Sequence, residues 1–202
     1  MLLQLNKISQ KSLNELSPSF NNLPETDHLD GTYRLRRYSV VQCNGNCVEI
    51  GDNTFLQTDE YNKFQGNVAR KFEPIESDVI SSVGMLEMCS QFGWICGLSD
   101  DQKIDVHQMR VVAQGEKAKV SPEGVHQDGY DYICIVSINR HNILGGRLLL
   151  HTEQKRDPFF SMELEEGVSA MIDDRVFWHN ATDISPIGAS LGYMDAFVLT
   201  AR

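Results

Sequence analysis

"EGVHQDGYDYICIVSI", Glu123–Ile138, joins two different signals. Its second half is a run of β-branched and aromatic residues without helical spacing, the composition of a strand. Its first half sets His126 and Asp128 two residues apart, between two glycines. On an extended chain, residues i and i+2 point to one face, about 6–7 Å apart along it. The pair can therefore share one target, and a metal ion is the natural one. Two ligands make a poor site, so a third has to come from elsewhere.

Outward from this stretch the pattern repeats. "IDVHQMRVVA", "GGRLLLH", "FFSMEL", "VSAMI", "RVFWHN" and "GYMDAFVLTA" are short, strand-like and separated by Gly, Pro, Asp or Asn. Strands at this spacing, with no helical pattern between them, predict a sandwich or barrel. Upstream, "YRLRRYSVVQC" predicts a strand. "SDVISSVGMLEMCSQFGWICG" predicts one helix, with Ser77 or Asp78 as N-cap, Val79, Val83 and Leu86 near helical spacing, and Gly97 as its stop. The first ~30 residues are polar and turn-rich and predict a short helix and a loop outside the core. The expectation is a single domain over residues 1–202, an all-β core with flanking helices (α+β). Strands and a helical layer occupy about 1–100 and a jelly-roll core about 104–202.

A chain of 202 residues with 41% hydrophobic content is enough for one substantial core. The net charge of -10 argues against nucleic acid, which requires a basic surface. No apolar run reaches the ~18–20 residues of a membrane span, and the N-terminus lacks a secretion pattern. Five cysteines, an odd count, predict reduced thiols in a cytoplasm. Cys43-x3-Cys47 has zinc-like spacing but no second pair, and the "NGN" between them reads as a hairpin turn.

Among the histidines, His28 falls in a loop-like segment, His141 in a turn, and His179 at the end of a late strand. His126, Asp128 and His179 would form a 2-His-1-carboxylate group, which binds Fe(II) on one face and leaves positions open for O2 and a co-substrate. Spacing alone leaves His179 either as a ligand or as a hydrogen-bonded core histidine.

"RLRRYS", "FLQTDEYNKFQGNVARKF", "HQMR", "HQDGYDY", "RHNILGG", "DDRVFWH" and "GYMDAFVLT" occur in one order over most of the chain, from about Tyr33 to Thr200. In this ordered set the sequence resembles the Fe(II)/2-oxoglutarate dioxygenases that include bacterial L-isoleucine hydroxylase and related free-amino-acid hydroxylases. The resemblance implies a double-stranded β-helix (a cupin-like jelly roll), iron held by His126, Asp128 and His179, and 2-oxoglutarate and O2 as co-substrates. Related iron halogenases carry a small residue at the carboxylate position, so Asp128 implies hydroxylation.

The resemblance also exposes a departure. The family places an arginine in an aromatic-Arg-Asp tripeptide about fifteen residues after the second histidine, where it grips the distal carboxylate of 2-oxoglutarate. Here that tripeptide is Tyr193-Met194-Asp195. A thioether cannot pair with a carboxylate, and a buried unpaired carboxylate costs several kcal/mol. Arg147, after the Gly-Gly turn, is the expected substitute, with Arg202 the weaker choice. Asp183, where the family carries proline, is a second departure.

In "HQMR", alternation sets Gln108 and Arg110 on one face and His107 on the other. Gln108 and Arg110 are read either as cavity groups that hold a substrate carboxylate or as a supporting polar network. Tyr130 and Tyr132 either wall the pocket or pack in the core. Arg34, Arg36, Arg37 and Arg70 are read as ion pairs with the acidic surface, with a substrate carboxylate as the alternative. Trp178 is assigned to the core, and Asp173, Asp174 and Arg175 to a charged turn.

The expectation is thus a cytoplasmic, non-haem Fe(II) dioxygenase that hydroxylates a free amino acid or a small derivative, with monomer or homodimer left open. Two rivals stand beside it. One is an iron oxygenase of the same fold that does not use 2-oxoglutarate, suggested by Met194; the other is a metal-binding cupin-like protein without turnover.

Overall fold

The computed structural model describes residues 2–202. In chain order its elements are β1 (Leu3–Lys7), α1 (Gln10–Leu16), a 3-10 turn (Ser17–Asn22), β2 (Arg34–Cys43), β3 (Cys47–Glu49), β4 (Thr54–Phe55), β5 (Arg70–Lys71), α2 (Ser77–Ile80), α3 (Val83–Cys96), β6 (Ile104–Ala113), β7 (Tyr132–His141), β8 (Ile143–Gly145), β9 (Leu148–His151), β10 (Phe160–Met162), β11 (Val168–Asp173), β12 (Trp178–Ala181), β13 (Ile184–Pro186) and β14 (Gly192–Ala201). Seven strands make one antiparallel sheet in the order β1-β11-β7-β14-β6-β2-β3. Shorter ladders, β10-β9-β12 and β13-β8, form a minor layer. This is the expected β-rich jelly-roll class.

Both faces of the large sheet are covered. On one, Phe197, Leu199 and Val136 pack against Leu13, Leu16, Phe20, Met88 and Phe92 of the helical layer. The other looks into a cavity shared with the minor layer. Along β14, Met194, Ala196, Val198 and Thr200 line that cavity, as do His107, Met109 and Val111 of β6. One irregularity matters. The β14–β7 register shifts at Asp195/Ala196, where Asp195 pairs with Asn139 but Ala196 with Ser137. This bulge inserts Ile138 and reverses the phase of the end of β7. Ser137 and Arg140, three residues apart, therefore both line the cavity.

Several local expectations change. The N-terminal segment is not outside the core: β1 pairs with β11, and Phe20 is fully buried with its ring edge-on to Phe197 at 5.0 Å. The expected single helix is two. Ser82, not Ser77 or Asp78, caps α3 by accepting from the Met85 N–H. The buried stripe is Met85, Met88, Cys89, Phe92 and Cys96, while Val83 is exposed. Gly97 ends the helix at φ +67°, as its position suggested. The "NGN" turn closes the β2–β3 hairpin, and Cys43 and Cys47 are joined across it as a disulfide. The expectation of five reduced thiols therefore fails for this pair, because the hairpin register sets the two side chains opposite each other; Cys89, Cys96 and Cys134 are free and buried. Among the described residues, no helix is long and apolar enough to cross a membrane.

Candidate active site

His126 and His179 pair directly across two strands. The His126 N–H donates to the His179 carbonyl at 3.0 Å and the His179 N–H to the His126 carbonyl at 2.8 Å. An antiparallel pair of this kind puts both side chains on one face, and the rings lie 4.3 Å apart. His179, on β12, is thus the direct antiparallel partner of His126. Two residues beyond His126, Asp128 turns to the same point: its Oδ1 is 3.6 Å from His126 Nε2 and its Oδ2 is 3.5 Å from His179 Nε2. The three ligand atoms lie within 4.8 Å of one another.

Asp174 fixes the loop that carries Asp128. One oxygen of this buried carboxylate accepts the N–H groups of Asp128, Gly129 and Tyr130 at 2.9, 2.9 and 3.2 Å. Gly129 needs its missing side chain: φ is +81°, and a Cβ would sit 2.7 Å from the Tyr61 ring. Gln57 completes the clamp, donating from Nε2 to Asp128 Oδ1 at 2.9 Å.

The donor set fits a borderline divalent ion. His126 Nδ1 is 2.8 Å from the Gly124 carbonyl, which keeps the proton on Nδ1 and directs Nε2 at the centre. His179 Nε2 is buried and makes no hydrogen bond, although Asp128 and Asp174 oxygens stand 3.5 and 3.4 Å away. A buried nitrogen without a partner is costly, and a cation between these groups removes that cost. Burial disfavours the charged His179 ring, yet the Asp128 and Asp174 carboxylates outweigh it and hold the group up at about 10. Burial likewise raises Asp128, but His126 and His179 outweigh it and keep the carboxyl well below the ordinary range.

The triad opens into a cavity of about 140 Å³ with Ile133, Ile135, Val198, Leu148 and Leu164 among its walls. Its charged groups come from β2, β5, β7 and the loop that carries Asp128. Arg34 is neutralised by Asp30 at 2.6 Å. Arg36 is buried; it contacts the Met109 sulfur at 3.2 Å and the face of Phe72, and the Asp30 and Glu123 carboxylates favour its charge from further off. Burial, with Arg34 nearby, pushes Arg36 down to about 9, so it stays cationic at neutral pH. Arg70 donates to the neutral Gln57 Oε1 at 3.3 Å, and its Nε has no partner. Glu123 lines the same space, with one buried oxygen unpaired.

Other expected residues separate into two groups. Tyr130 lines the cavity, whereas Tyr132 packs toward the helical core. Gln108 and Arg110 do not line it: their alternation is as read, but their face is the helical one. Gln108 donates to Ser19 Oγ at 2.7 Å, and Arg110 forms a bidentate pair with Asp195 at 2.6 and 2.8 Å. Arg147 also turns away. Its guanidinium bonds Ser161 Oγ and carbonyl at 3.0 and 3.1 Å and is 44% exposed. The fixed backbone after Gly146 sends this side chain to the outer surface of the minor layer. Arg202 lies over Tyr130 outside the cavity, and Asp183 is exposed. Arg37 forms the expected surface pairs with Glu73 and Glu76, and Arg175 pairs with Asp173. Missed by sequence reasoning were the Asp174 clamp, Gln57, Glu123 and Arg140; only Glu123, beside the His-x-Asp pair, offered a local signal.

A β-helix with a buried His-x-Asp…His group opening into an apolar cavity is the site of a non-haem iron oxygenase. The sequence profile of the 2OG-Fe dioxygenase family matches residues 17–200, and the chain belongs to that family. It is an Fe(II)-dependent dioxygenase that uses 2-oxoglutarate and O2 on a small-molecule substrate. Its fold is shared with a bsmA homolog from Methylobium petroleophilum PM1, at TM-score 0.81 and 24% identity, over 96% of this chain and 82% of that one. IDO from Bacillus thuringiensis follows at TM-score 0.78 and 17% identity, over 98% and 93%. The Fe(II)/(alpha)ketoglutarate-dependent dioxygenase TqaL gives 0.68 and 15%, over 96% and 75%. No protein in the curated set matches the sequence.

Proposed function

We propose that this dioxygenase hydroxylates a free amino acid or a small amino-acid derivative, with iron held by His126, Asp128 and His179. The observation that carries the reading is the charge pattern of the cavity. Arg36 and Arg70 are buried cations that no carboxylate hydrogen-bonds, although Asp30 and Glu123 act on both through space, and Glu123 keeps one oxygen unpaired while the other stands 3.7 Å from His126 Nε2. Buried charges without direct hydrogen-bonded partners are costly, and a zwitterion offsets this at both ends: its carboxylate suits the guanidinium forks, and its ammonium suits Glu123. The resemblance to free-amino-acid hydroxylases supports the same class.

When bound, iron and 2-oxoglutarate supply activation of O2, with loss of CO2 and conversion of a substrate C–H to C–OH. The chain's own tasks are to bind and to shield. Asp174 and Gln57 hold the Asp128 carboxylate in one orientation, and the Gly124 carbonyl sets the His126 tautomer. Apolar walls keep water from the reacting carbon, and Tyr130 closes one side. Asp128 occupies the position that a halide would need, which favours hydroxylation.

The test is a screen of free amino acids with Fe(II), 2-oxoglutarate and O2, read as a one-oxygen mass gain together with succinate. Turnover of neutral or purely cationic molecules in preference to amino acids would sink the substrate assignment.

A further inference from the structure

We propose that Arg140 binds the distal carboxylate of 2-oxoglutarate, taking over from the arginine that the family pattern expects where this chain has Met194. The inference rests on the reading of the chain as a 2-oxoglutarate enzyme. Arg140 of β7 is the registered partner of Met194 on β14, so the two residues are immediate neighbours across the ladder. Their side-chain ends meet at Gly146. A Cβ built on that glycine would stand 3.0 Å from Met194 Sδ and 3.1 Å from Arg140 Nη1. Both residues line the cavity that contains the triad. The cation is thus displaced by one strand while its charged end stays beside the old position.

The guanidinium is held but not neutralised. Nη2 donates to the Gly145 carbonyl at 2.6 Å and Nη1 to the Gly146 carbonyl at 3.4 Å. These contacts engage two of the five guanidinium N–H donors. The nearest carboxylate, Glu163, is 3.8 Å away and half-exposed, so it is heavily screened. The Ser137 hydroxyl is buried, lines the same cavity from the same strand, and has no partner. An unneutralised cation and an unused hydroxyl on one strand suit a carboxylate. The other cavity cations are less suited: Arg34 is neutralised by Asp30, and Arg36 and Arg70 lie toward Phe72 and Phe55. Neither Arg140 nor Ser137 is among the proposed iron ligands.

The experiment is anaerobic calorimetric titration of the metal-loaded protein with 2-oxoglutarate and with 2-oxopentanoate, which has a methyl group in place of the distal carboxylate. Arg140→Ala is expected to weaken 2-oxoglutarate about 30-fold or more, while 2-oxopentanoate changes less than about threefold. The double variant Arg140→Ala/Met194→Arg should regain part of the 2-oxoglutarate affinity without strengthening 2-oxopentanoate. Retained 2-oxopentanoate binding shows that the variant site is folded. Should Arg140→Ala lose both ligands, the double variant decides: selective recovery of 2-oxoglutarate supports the proposal, and no recovery overturns it. Unchanged 2-oxoglutarate affinity in Arg140→Ala overturns this proposal alone. Wild-type protein that binds neither acid overturns the underlying reading with it.

Discussion

The two faces of the β2–β6 ladder carry arginines in opposite circumstances. On the helical face, Arg110 is gripped by both oxygens of Asp195, which also accepts from Asn139 at 2.7 Å, and its plane lies over Tyr193. On the cavity face, Arg36 of β2 pairs in register with Met109 of β6, and its guanidinium contacts a thioether and an aromatic face, with the Asp30 and Glu123 carboxylates acting only through space. Both cations are largely withdrawn from water. The chain supplies a hydrogen-bonded counter-ion in one case and only carboxylates at longer range in the other. A cation whose partner is built into the protein supports the fold. A buried cation without a hydrogen-bonded counter-ion can take its partner from a ligand, which is why the proposed function puts substrate recognition on the cavity face.

The largest effect should come from breaking the satisfied side. Asp195→Ala leaves Arg110 buried and uncompensated, and a loss of about 3–5 kcal/mol in denaturant unfolding is expected. A loss below about 1 kcal/mol would mean that the pair is not the structural cation the comparison requires. On the cavity side the sign should reverse. Arg36→Met removes a buried charge that no carboxylate hydrogen-bonds, so stability without substrate should hold or rise, by up to about 1–4 kcal/mol, while amino-acid turnover is lost. A clear destabilisation would return Arg36 to the structural group.

Asp174 tests the same contrast at the metal. Its carboxylate supports the loop rather than the substrate, and Asp174→Ala should lower iron affinity about 10–100-fold, as read by chelator competition. Unchanged affinity would show that the Asp128 loop holds itself. The smallest effect belongs to Arg147. Exposed and bonded to Ser161, it should change stability by no more than about 0.5 kcal/mol when replaced by alanine and leave 2-oxoglutarate affinity unaltered. A substantial loss of that affinity would restore Arg147 as the anchor and remove the case for Arg140.

Much of this was legible in the sequence. The strand composition of "IDVHQMRVVA" and "GYMDAFVLTA" matched β6 and β14 over their full lengths, Ile104–Ala113 and Gly192–Ala201. The i, i+2 spacing of His126 and Asp128, with the ordered family motifs, pointed to the three residues that converge. Local chemistry suffices there, because strand propensity and ligand type are properties of the residues themselves. What stayed hidden depended on neighbours distant in sequence. Alternation grouped Gln108 with Arg110 but could not say which face of β6 was the cavity, since helices cover one side and the minor layer the other, and neither side is marked by solvent. Arg140 was hidden for a sharper reason. Strict alternation from Ile133, Ile135 and Ser137 would put Asn139 in the cavity and Arg140 behind the sheet. One extra residue opposite Asp195/Ala196 reverses that order. The sequence by itself determined the strands and the ligand types; a bulge formed only by pairing β7 with β14 decided which cation faces the cavity beside Met194.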